Sequence, residues 1–410
     1  MGWKTLVGKN ETQLEITMQA FDGIRVLDFT HVYAGPFASY QLAVMGAEVI
    51  KIESPQLPDM MRAEGHDDSR NALGLGLGYL VNNQGKKAIT LDLSKPQGLE
   101  IASQLVQSAD VLIENYSGAL RRFGLGAEQA HNINPELIYC SMSGYGEDNP
   151  NAGFPAYDQV IQAFSGMMSV NGEPDQAPLR VGPPLVDYGT GAQSAFAIAS
   201  ALFQRSRTGK GQVINVNMVD AALMMMSPLI ANAMHRGKTE NRTGNVQIDR
   251  PGYAVYACED DDLMLGAFTL KQHNKLFAAL EFDDINPANV TRLWLKQEGA
   301  RLRERMLESF SKRSAEAWER YLNQFDVPAA RVRDLYEMLQ SDQLQRSASS
   351  QHKRLADNPM TAPIAAFDYA HGGPEFDSYC ARHGEDTDSV LGALGWSQDQ
   401  LDELRRLEVI

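Results

Sequence analysis

The stretch Gly23–Glu53, GIRVLDFTHVYAGPFASYQLAVMGAEVIKIE, constrains the fold of this chain more than any other segment. Two short apolar and β-branched runs, Ile24–Phe29 and Ala47–Ile52, flank a helical pattern, which predicts a βαβ unit and therefore a parallel sheet. Ligands of such a sheet bind at the carboxyl ends of its strands, where a dinucleotide enzyme carries Gly-x-Gly-x-x-Gly. This chain instead carries THVYAGP at Thr30–Pro36, with a single glycine. The turn therefore argues against a dinucleotide cofactor.

Four further apolar runs continue the alternation of strand and helix. They are Lys86–Leu93, Asp110–Glu114, Leu137–Met142 and Gln212–Met218. A long helical pattern of small residues, Gly191–Gln204, precedes the last of them. Strands that alternate with helices of this length predict a doubly wound α/β domain with a parallel sheet.

The polar, glycine-bearing segment Lys238–Asn245 indicates a linker, so we expect a smaller α+β domain after it. The acidic run Asp260–Asp262 fits a solvated hairpin turn better than a metal site, because no further ligands follow at the spacing of a calcium loop. The closing helix of the chain needs a surface to cover, so we expect the C-terminal segment to return to the large domain. The predicted division is an N-terminal extension at 1–20, a large domain at 21–225, a linker and smaller domain at 226–335, and a C-terminal segment at 336–410.

Charge and cysteine usage limit the partners and the compartment. A formal net charge of −15 disfavours nucleic acid and anionic membrane surfaces, both of which need clustered lysine and arginine. Cys140, Cys258 and Cys380 lie far apart without CxxC spacing, which indicates neither a disulfide framework nor a zinc site. The first twenty residues lack an apolar signal core, and no run approaches the roughly 20 apolar residues of a membrane span. We expect a cytoplasmic protein.

Two aspartates are candidates for chemistry. Asp187, in VDYGTG, precedes a helix predicted to begin near Gly191. Its carboxylate is either a nucleophile, already ionised at neutral pH, or the cap of that helix. Asp158 begins another helical run and is either a general acid or base, an orienting group, or a cap. Spacing alone leaves these alternatives open.

Polar and aromatic side chains follow two strands of the predicted sheet. His31 follows the first strand, where it either contacts a ligand or makes structural hydrogen bonds. Asn115 and Tyr116 follow the strand that ends at Glu114, and Arg122 comes one helical turn later. An amide, an aromatic ring and a guanidinium together suit a nucleotide with phosphates. Simple solvation is the alternative for Arg122.

These features, in this order, resemble the family III CoA-transferases, the group that includes formyl-CoA transferase, carnitine CoA-transferase and the α-methylacyl-CoA racemases. The order and spacing of many segments carry the resemblance. They are LDFTHVYAGP (27–36), MGAEVIKIE (45–53), GKKAITLDL (85–93), IENY (113–116), SGYG (143–146), AYDQVIQAFSG (156–166), VDYGTG (186–191), TGKGQVINVNMVDAAL (208–223) and GEDTDSVLGALG (384–395).

The resemblance implies that Asp187 attacks an acyl-CoA, forming a mixed anhydride and then an aspartyl-CoA thioester. It implies acyl-CoA and a small or medium carboxylic acid as substrates, no permanently bound cofactor, no metal, and an interlocked homodimer. Asp158 and Tyr33 would lie at the acyl site or serve as acid or base. The CoA-binding residues that the resemblance implies are His31, Val32, Ala34, Leu91, Asn115, Tyr116, Arg122 and Met218.

Some positions depart from the family pattern. Tyr33 replaces a glutamine of formyl-CoA transferase, and KTENRTGN lacks that enzyme's polyglycine loop, which disfavours oxalate as the acid. Ser54 replaces a CoA-binding arginine, so a phosphate contact is either lost or supplied elsewhere, for instance by Lys86 or Lys87. Asp386 stands where histidine is usual, and nothing in the sequence explains it.

Two other functions share the fold. A racemase is the first, but Tyr157 precedes Asp158 where racemases carry histidine. A CoA-binding protein without turnover is the second.

Overall fold

The computed structural model describes residues 18–116, 118–247, 249–343, 365–375 and 380–410. Its contacts divide the chain into two compact units. The described residues within 1–165, 181–230 and 346–410 form the first unit, and those within 166–180 and 231–345 form the second. Most of the predicted N-terminal extension, and parts of the predicted C-terminal segment, lie outside the described residues.

Six parallel strands form the sheet of the first unit, which confirms the predicted α/β class. Their order is β3-β2-β1-β4-β5-β6. In the central register, Leu27 pairs with Ile50 on one side and with Leu112 on the other. The strands are β1 (Arg25–Phe29), β2 (Glu48–Glu53), β3 (Lys87–Thr90), β4 (Val111–Glu114), β5 (Ile138–Ser143) and β6 (Gln212–Asn217).

Helices occur in both units, and short 3₁₀ turns occur at Met60–Ala63 and Pro287–Asn289. In chain order the helices are α1 (Ala34–Ala43), α2 (Asp68–Ala72), α3 (Leu77–Asn83), α4 (Pro96–Gln107), α5 (Ala119–Arg122), α6 (Ala127–Ile133), α7 (Asp158–Phe164), α8 (Met167–Val170), α9 (Leu185–Thr208), α10 (Met218–Met225), α11 (Ser227–Arg236), α12 (Leu270–Ala279), α13 (Arg292–Phe310), α14 (Ala315–Gln324), α15 (Leu335–Leu339), α16 (Thr387–Ala393) and α17 (Gln398–Arg406).

Both faces of the sheet are buried. Leu27 and Ile50 belong to a core shared with α4 and α6, whereas Val26 and Val49 point to the opposite face and a core shared with α1 and α9. Strands covered on both faces read as apolar runs without alternation. This is the pattern from which the sequence predicted a parallel sheet.

Helix α9 begins at Leu185, six residues before the start predicted at Gly191. The reason is a cap from a distant segment, which spacing along the chain does not reveal. The carboxylate of Asp158 accepts hydrogen bonds from the backbone N–H groups of Val186 (2.7 Å) and Asp187 (3.0 Å). Asp187 therefore lies inside the first helical turn.

The C-terminal segment covers the open edge of β3. The carboxylate of Asp386 accepts a hydrogen bond from Ala88 N (2.8 Å), and Asp386 N donates one to Ala88 O (2.9 Å). Further along the same edge, Asp92 N donates to Val409 O at 2.8 Å. Asp386, which the sequence left unexplained, therefore satisfies backbone groups of an edge strand.

The second unit contains an antiparallel sheet in the order β7-β8-β9. Its strands are β7 (Val255–Ala257), β8 (Asp262–Leu265) and β9 (Ala329–Arg331). They share a core with α12, α13 and α14, centred on Tyr256, Phe310 and Trp318. The acidic run is the predicted hairpin turn, in which Asp260 accepts a hydrogen bond from Ala315 N at 2.8 Å. Within the described ranges, no helix has the length and apolar character needed to cross a membrane.

Candidate active site

The order of the sheet reverses between β1 and β4, and the loops after these two strands flank a crevice at their carboxyl ends. Asn115, directly after β4, joins the two loops. Its side-chain oxygen accepts a hydrogen bond from His31 N (3.0 Å), and its side-chain nitrogen donates one to His31 O (2.9 Å). Both ends of the Asn115 amide are thus engaged by the loop that follows β1.

A first cleft of about 560 Å³, including its open mouth, lies at this position. Its walls come from the ends of β1, β4, β5 and β6 and from the first turns of α9 and α10. The predicted site residues that line it are His31, Val32, Tyr33, Ala34, Asn115, Asp187 and Met218. Sequence reasoning did not place Met142, Ser143, Gly144, Ala156, Tyr157 and Thr190 at the site, although these residues also line the cleft.

A second cleft of about 710 Å³ adjoins the first. Leu91, Tyr116 and Ser54 line it. The rings of His31 and Tyr116 stack with centroids 4.7 Å apart, so this pair forms a wall between the two clefts.

Arg122 and the two lysines lie elsewhere. Arg122 is exposed on α5 and lines neither cleft. Lys86 is buried and donates to Asp28, Ser39, Asn83 and the carbonyl of Pro36, so it has no donor left for a phosphate. Lys87 lies at the amino end of β3, away from the carboxyl ends, and pairs with Glu48. The suggestion that either lysine substitutes at Ser54 was wrong.

Asp187 is a buried carboxylate on α9. Its side chain is on the first turn of α9 and is only 7% exposed. Among the described residues, no side-chain donor or cation contacts the carboxylate. Burial and the nearby charge of Asp158 raise the pKa of Asp187 to about 7. The alternative that Asp187 caps a helix was wrong, because Pro184 occupies the cap position.

Asp158, by contrast, has both carboxylate oxygens occupied. Oδ1 accepts a hydrogen bond from Gln162 Nε2 at 2.6 Å, and Oδ2 accepts the two backbone hydrogen bonds from the start of α9. Of the roles that the sequence left open, the geometry matches a cap, although for the helix of Asp187 and not for its own. An anion at a helix N-terminus is favourable because the backbone N–H groups there lack partners within the helix.

The loop between β1 and α1 has an unusual backbone. Val32 has φ of 69°, in the left-handed region that β-branched residues rarely adopt. Nδ1 of His31 is buried without a hydrogen-bond partner in the described part of the chain, and burial lowers the pKa of this ring. Tyr33 directly precedes the first residue of α1. Burial and the neighbouring Tyr188 raise the pKa of its hydroxyl.

Gly191 allows α9 to approach this loop closely. A Cβ at position 191 would lie 2.5 Å from the carbonyl oxygen of Ala34, which only glycine avoids. Since Gly191 is one helical turn after Asp187, this contact fixes the distance between the carboxylate and the loop. The arrangement offers a buried, ionisable oxygen nucleophile in the same cleft as the imidazole of His31.

Comparisons with known proteins agree with the family resemblance that the sequence motifs carry. The model of CoA-transferase family III matches residues 21–387. A succinate–glutarate CoA-transferase of Agrobacterium fabrum is 38% identical over 62% of this chain and 64% of its own length. An acetyl-CoA:oxalate CoA-transferase of Acetobacter aceti is 38% identical over 60% of this chain and 62% of its own length. The chain thus spans about three fifths of the curated relatives that it matches.

A crystal structure of a CAIB/BAIF family protein from Brucella suis superimposes with a TM-score of 0.80 and 28% identity. The superposition covers 92% of this chain and 99% of that one. With the family model matching nearly its whole length, the chain belongs to CoA-transferase family III.

Proposed function

We propose that this protein is a CoA-transferase that moves CoA from an acyl-CoA thioester to a small carboxylic acid. The observation that carries the proposal is Asp187, a buried carboxylate in the cleft at the switch point of the sheet, to which the described part of the chain supplies no counter-ion. A protein gains no stability from such a group, because its ionisation in a dry site is unfavourable. A carboxylate that is poorly solvated is, however, a better nucleophile.

The proposed reaction exchanges one thioester bond for another, so its overall change in free energy is small. An oxygen of Asp187 attacks the thioester carbon, the C–S bond breaks, and CoA leaves as a thiolate from an acyl–aspartyl anhydride. The thiolate then attacks the Asp187 carbonyl, which releases the first acid and leaves an aspartyl-CoA thioester. The acceptor carboxylate repeats both steps in reverse and regenerates Asp187. One thioester replaces another, so we propose that no ATP, metal or bound cofactor takes part.

The two clefts suit the two ends of CoA. We place the nucleotide in the second cleft, between Leu91 and Tyr116, with Arg122 meeting its phosphates from solvent. The thioester end then passes the stacked pair of His31 and Tyr116 into the first cleft, near Met218 and the loop Val32–Ala34. The lining supports this placement, since both clefts combine apolar side chains with a few polar groups, as ligand pockets do.

Small dicarboxylic acids are the acceptors that we propose. The relatives described above are named for succinate and glutarate in one case and for oxalate in the other. Tyr33 lies in the same cleft as Asp187, so its ring and hydroxyl are placed to contact the acyl or acid group, whereas Asp158 acts by holding the first turn of α9.

We further propose an interlocked homodimer in a reducing cytoplasm. Phe196 and Phe203 on α9 are 70% and 61% exposed, and Val213 on β6 is 40% exposed. An apolar surface of this kind at a sheet edge is typical of an interface with another chain. All three cysteines carry free thiols, which supports the compartment. Mass measurement by light scattering tests the dimer, and a monomer at micromolar concentration would contradict it.

Hydroxylamine trapping tests the mechanism. The protein is incubated with one acyl-CoA at a time plus hydroxylamine, which converts an activated carboxyl group into a hydroxamate, and its peptides are then analysed by mass spectrometry. We expect a hydroxamate on Asp187 with at least one thioester, and none with Asp187→Asn. An unmodified Asp187 with every thioester would reject the transferase. Solvent deuterium at the α-carbon would then indicate a racemase, and CoA binding alone would indicate a protein without turnover.

A further inference from the structure

Six charged side chains are buried beneath the loop Thr30–Ala34, and we call them the buried charge cluster. Each is at most 5% exposed, and positive and negative charges are equal in number. Replacing such pairs by apolar side chains of similar volume is often neutral or stabilising, so stability alone does not account for them. The members of the buried charge cluster are Asp28, Lys51, Glu53, Asp59, Arg62 and Lys86.

One ion pair of the buried charge cluster contacts the loop backbone on both sides of His31. Lys51 Nζ lies 3.1 Å from Asp59 Oδ2 and donates a hydrogen bond to Thr30 O at 2.7 Å. Asp59 Oδ1 accepts a hydrogen bond from Val32 N at 3.2 Å. The pair therefore holds the residue before His31 and the residue after it.

Val32 is the residue of this loop that most needs to be held. Its φ of 69° brings a β-branched side chain into steric conflict with its own backbone. A free chain would relax to negative φ, and the N–H of Val32 would then turn away from Asp59. Conformations of this kind persist where surrounding contacts fix them, and they occur preferentially at ligand sites.

We propose that Lys51 and Asp59 are positioning residues, which hold the loop Thr30–Ala34 in the conformation that presents His31 and Tyr33 to acyl-CoA. The inference rests on the proposed function for its ligand but not for its geometry. Neither side chain lines the clefts, so both act through the loop. Because Asp187 is held separately by α9 and Asp158, the loop affects binding of the thioester more than the chemical step.

The double variant Lys51→Met/Asp59→Leu tests this proposal, because it removes both charges and the oxygen that accepts from Val32 N, and it leaves neither partner of the pair buried alone. We expect the KM for acyl-CoA to rise about tenfold, with kcat within about twofold of the wild type. The matched control is Leu105→Ala. Leu105 lies in α4, on the face of the sheet opposite to Lys51, and its truncation leaves a cavity that destabilises the same unit. We expect its KM to be unchanged.

Rescue separates positioning from general stability. Glycine adopts φ near 69° without steric cost. Val32→Gly added to the double variant should therefore bring the KM most of the way back to the wild-type value. It should not do so if the KM rose because the protein was destabilised. If the double variant does not fold, Asp59→Ala replaces it, with about a threefold rise in KM and the same rescue. An unchanged KM in the variant used, or a raised KM without rescue, overturns the proposal.

Amide hydrogen exchange of the peptide that contains Thr30–Ala34 gives a readout that does not depend on activity. We expect this peptide to exchange faster than in the wild type in the double variant, but not in Leu105→Ala. Equal exchange rates in the two variants would also overturn the proposal. A wild type that neither binds CoA nor exchanges it rejects the proposed function while leaving this readout valid. An active wild type beside a double variant with wild-type KM rejects only the positioning role.

Discussion

Two buried carboxylates of the same unit, Asp28 and Asp187, have opposite surroundings. Asp28 accepts hydrogen bonds from Lys86 Nζ (3.0 Å), Ser39 Oγ (2.5 Å) and Thr30 N (3.0 Å). Burial alone would raise the pKa of Asp28, but Lys86 and Lys51 hold it well below its ordinary value. No cation among the described residues contacts Asp187, and burial together with Asp158 raises its pKa to about 7.

The difference separates a carboxylate that serves the fold from one that serves chemistry. A buried lysine and hydrogen-bond donors engage both oxygens of Asp28, so neither oxygen is free for a substrate. Asp187 costs the fold stability once it is ionised, because its desolvation is not offset by a partner. Burial alone therefore does not identify a reactive group; the lack of compensation does.

Activity should separate the two carboxylates most strongly. We expect Asp187→Asn to reduce exchange by at least about a thousandfold, since the amide is not a nucleophile. Initial rates with the thioester found by hydroxylamine trapping measure the effect. CoA binding by the same variant, followed by calorimetry, is the control and should stay within about threefold of the wild type. Activity above about one tenth of the wild type would remove Asp187 from the mechanism.

Stability should change in opposite directions at these positions. We expect Asp28→Asn to lose about 3–5 kcal/mol, because Lys86 remains buried without its anion. Asp187→Asn should gain stability above neutral pH. In the wild type, the pKa of the Asp187 carboxyl is about 7 in the folded state and 3.8 in the unfolded state. The destabilisation caused by ionised Asp187 is therefore absent below pH 3.8, grows between the two pKa values and is complete above pH 7.

Urea unfolding of both variants at about pH 5 and about pH 8 measures this contrast. The gain from Asp187→Asn should be on the order of a few kcal/mol at the higher pH and smaller at the lower. A loss at both pH values would mean that the Asp187 carboxylate is compensated after all.

Two glycines of α9 test how Asp187 is placed. Gly191→Ala forces a Cβ to within 2.5 Å of the Ala34 carbonyl, so the start of α9, which carries Asp187, must move away from the loop. We expect kcat to fall about tenfold and stability to fall by about 1–3 kcal/mol. Gly189→Ala is the matched control in the same helix, since its Cβ meets only the flexible end of Met225. Equal effects of the two substitutions would show that the close approach is unimportant.

The smallest effect concerns the charge beside Asp187. Asp158→Asn keeps an oxygen that accepts the backbone hydrogen bonds of α9 but removes the negative charge, so ionisation of Asp187 becomes easier. Because burial is the larger cause of the raised pKa, we expect the midpoint of the rising limb of kcat/KM against pH to move down by about half a unit to one unit from about 7. A midpoint that moves up would assign the shift to another group.

The sequence predicted the sheet well because strands buried on both faces carry continuous apolar runs, as at Arg25–Phe29 and Val111–Glu114. It did not predict the start of α9, because the cap comes from Asp158, 28 residues before Val186. The geometry of the loop at Val32 was equally hidden, since it depends on contacts with Lys51 and Asp59.

One signal of the buried charge cluster was nonetheless present in the sequence. Asp28 and Lys51 interrupt apolar strand runs, in LDF and IKIE, at positions that a parallel sheet must bury. A charge in such a position needs a partner of opposite sign. The run alone does not say which partner, and for this reason the fold could be predicted more fully than the site.

The cover on β3 has a consequence for synthesis of the chain. Ala88 and Asp386 are 298 residues apart, so at 5–20 residues per second the ribosome supplies the partner about 15–60 s after the strand. During that time the nascent sheet has an unpaired edge, which is a template for pairing with other chains. Premature termination before Asp386 would make this state permanent, and such products should aggregate even though the strands themselves are complete.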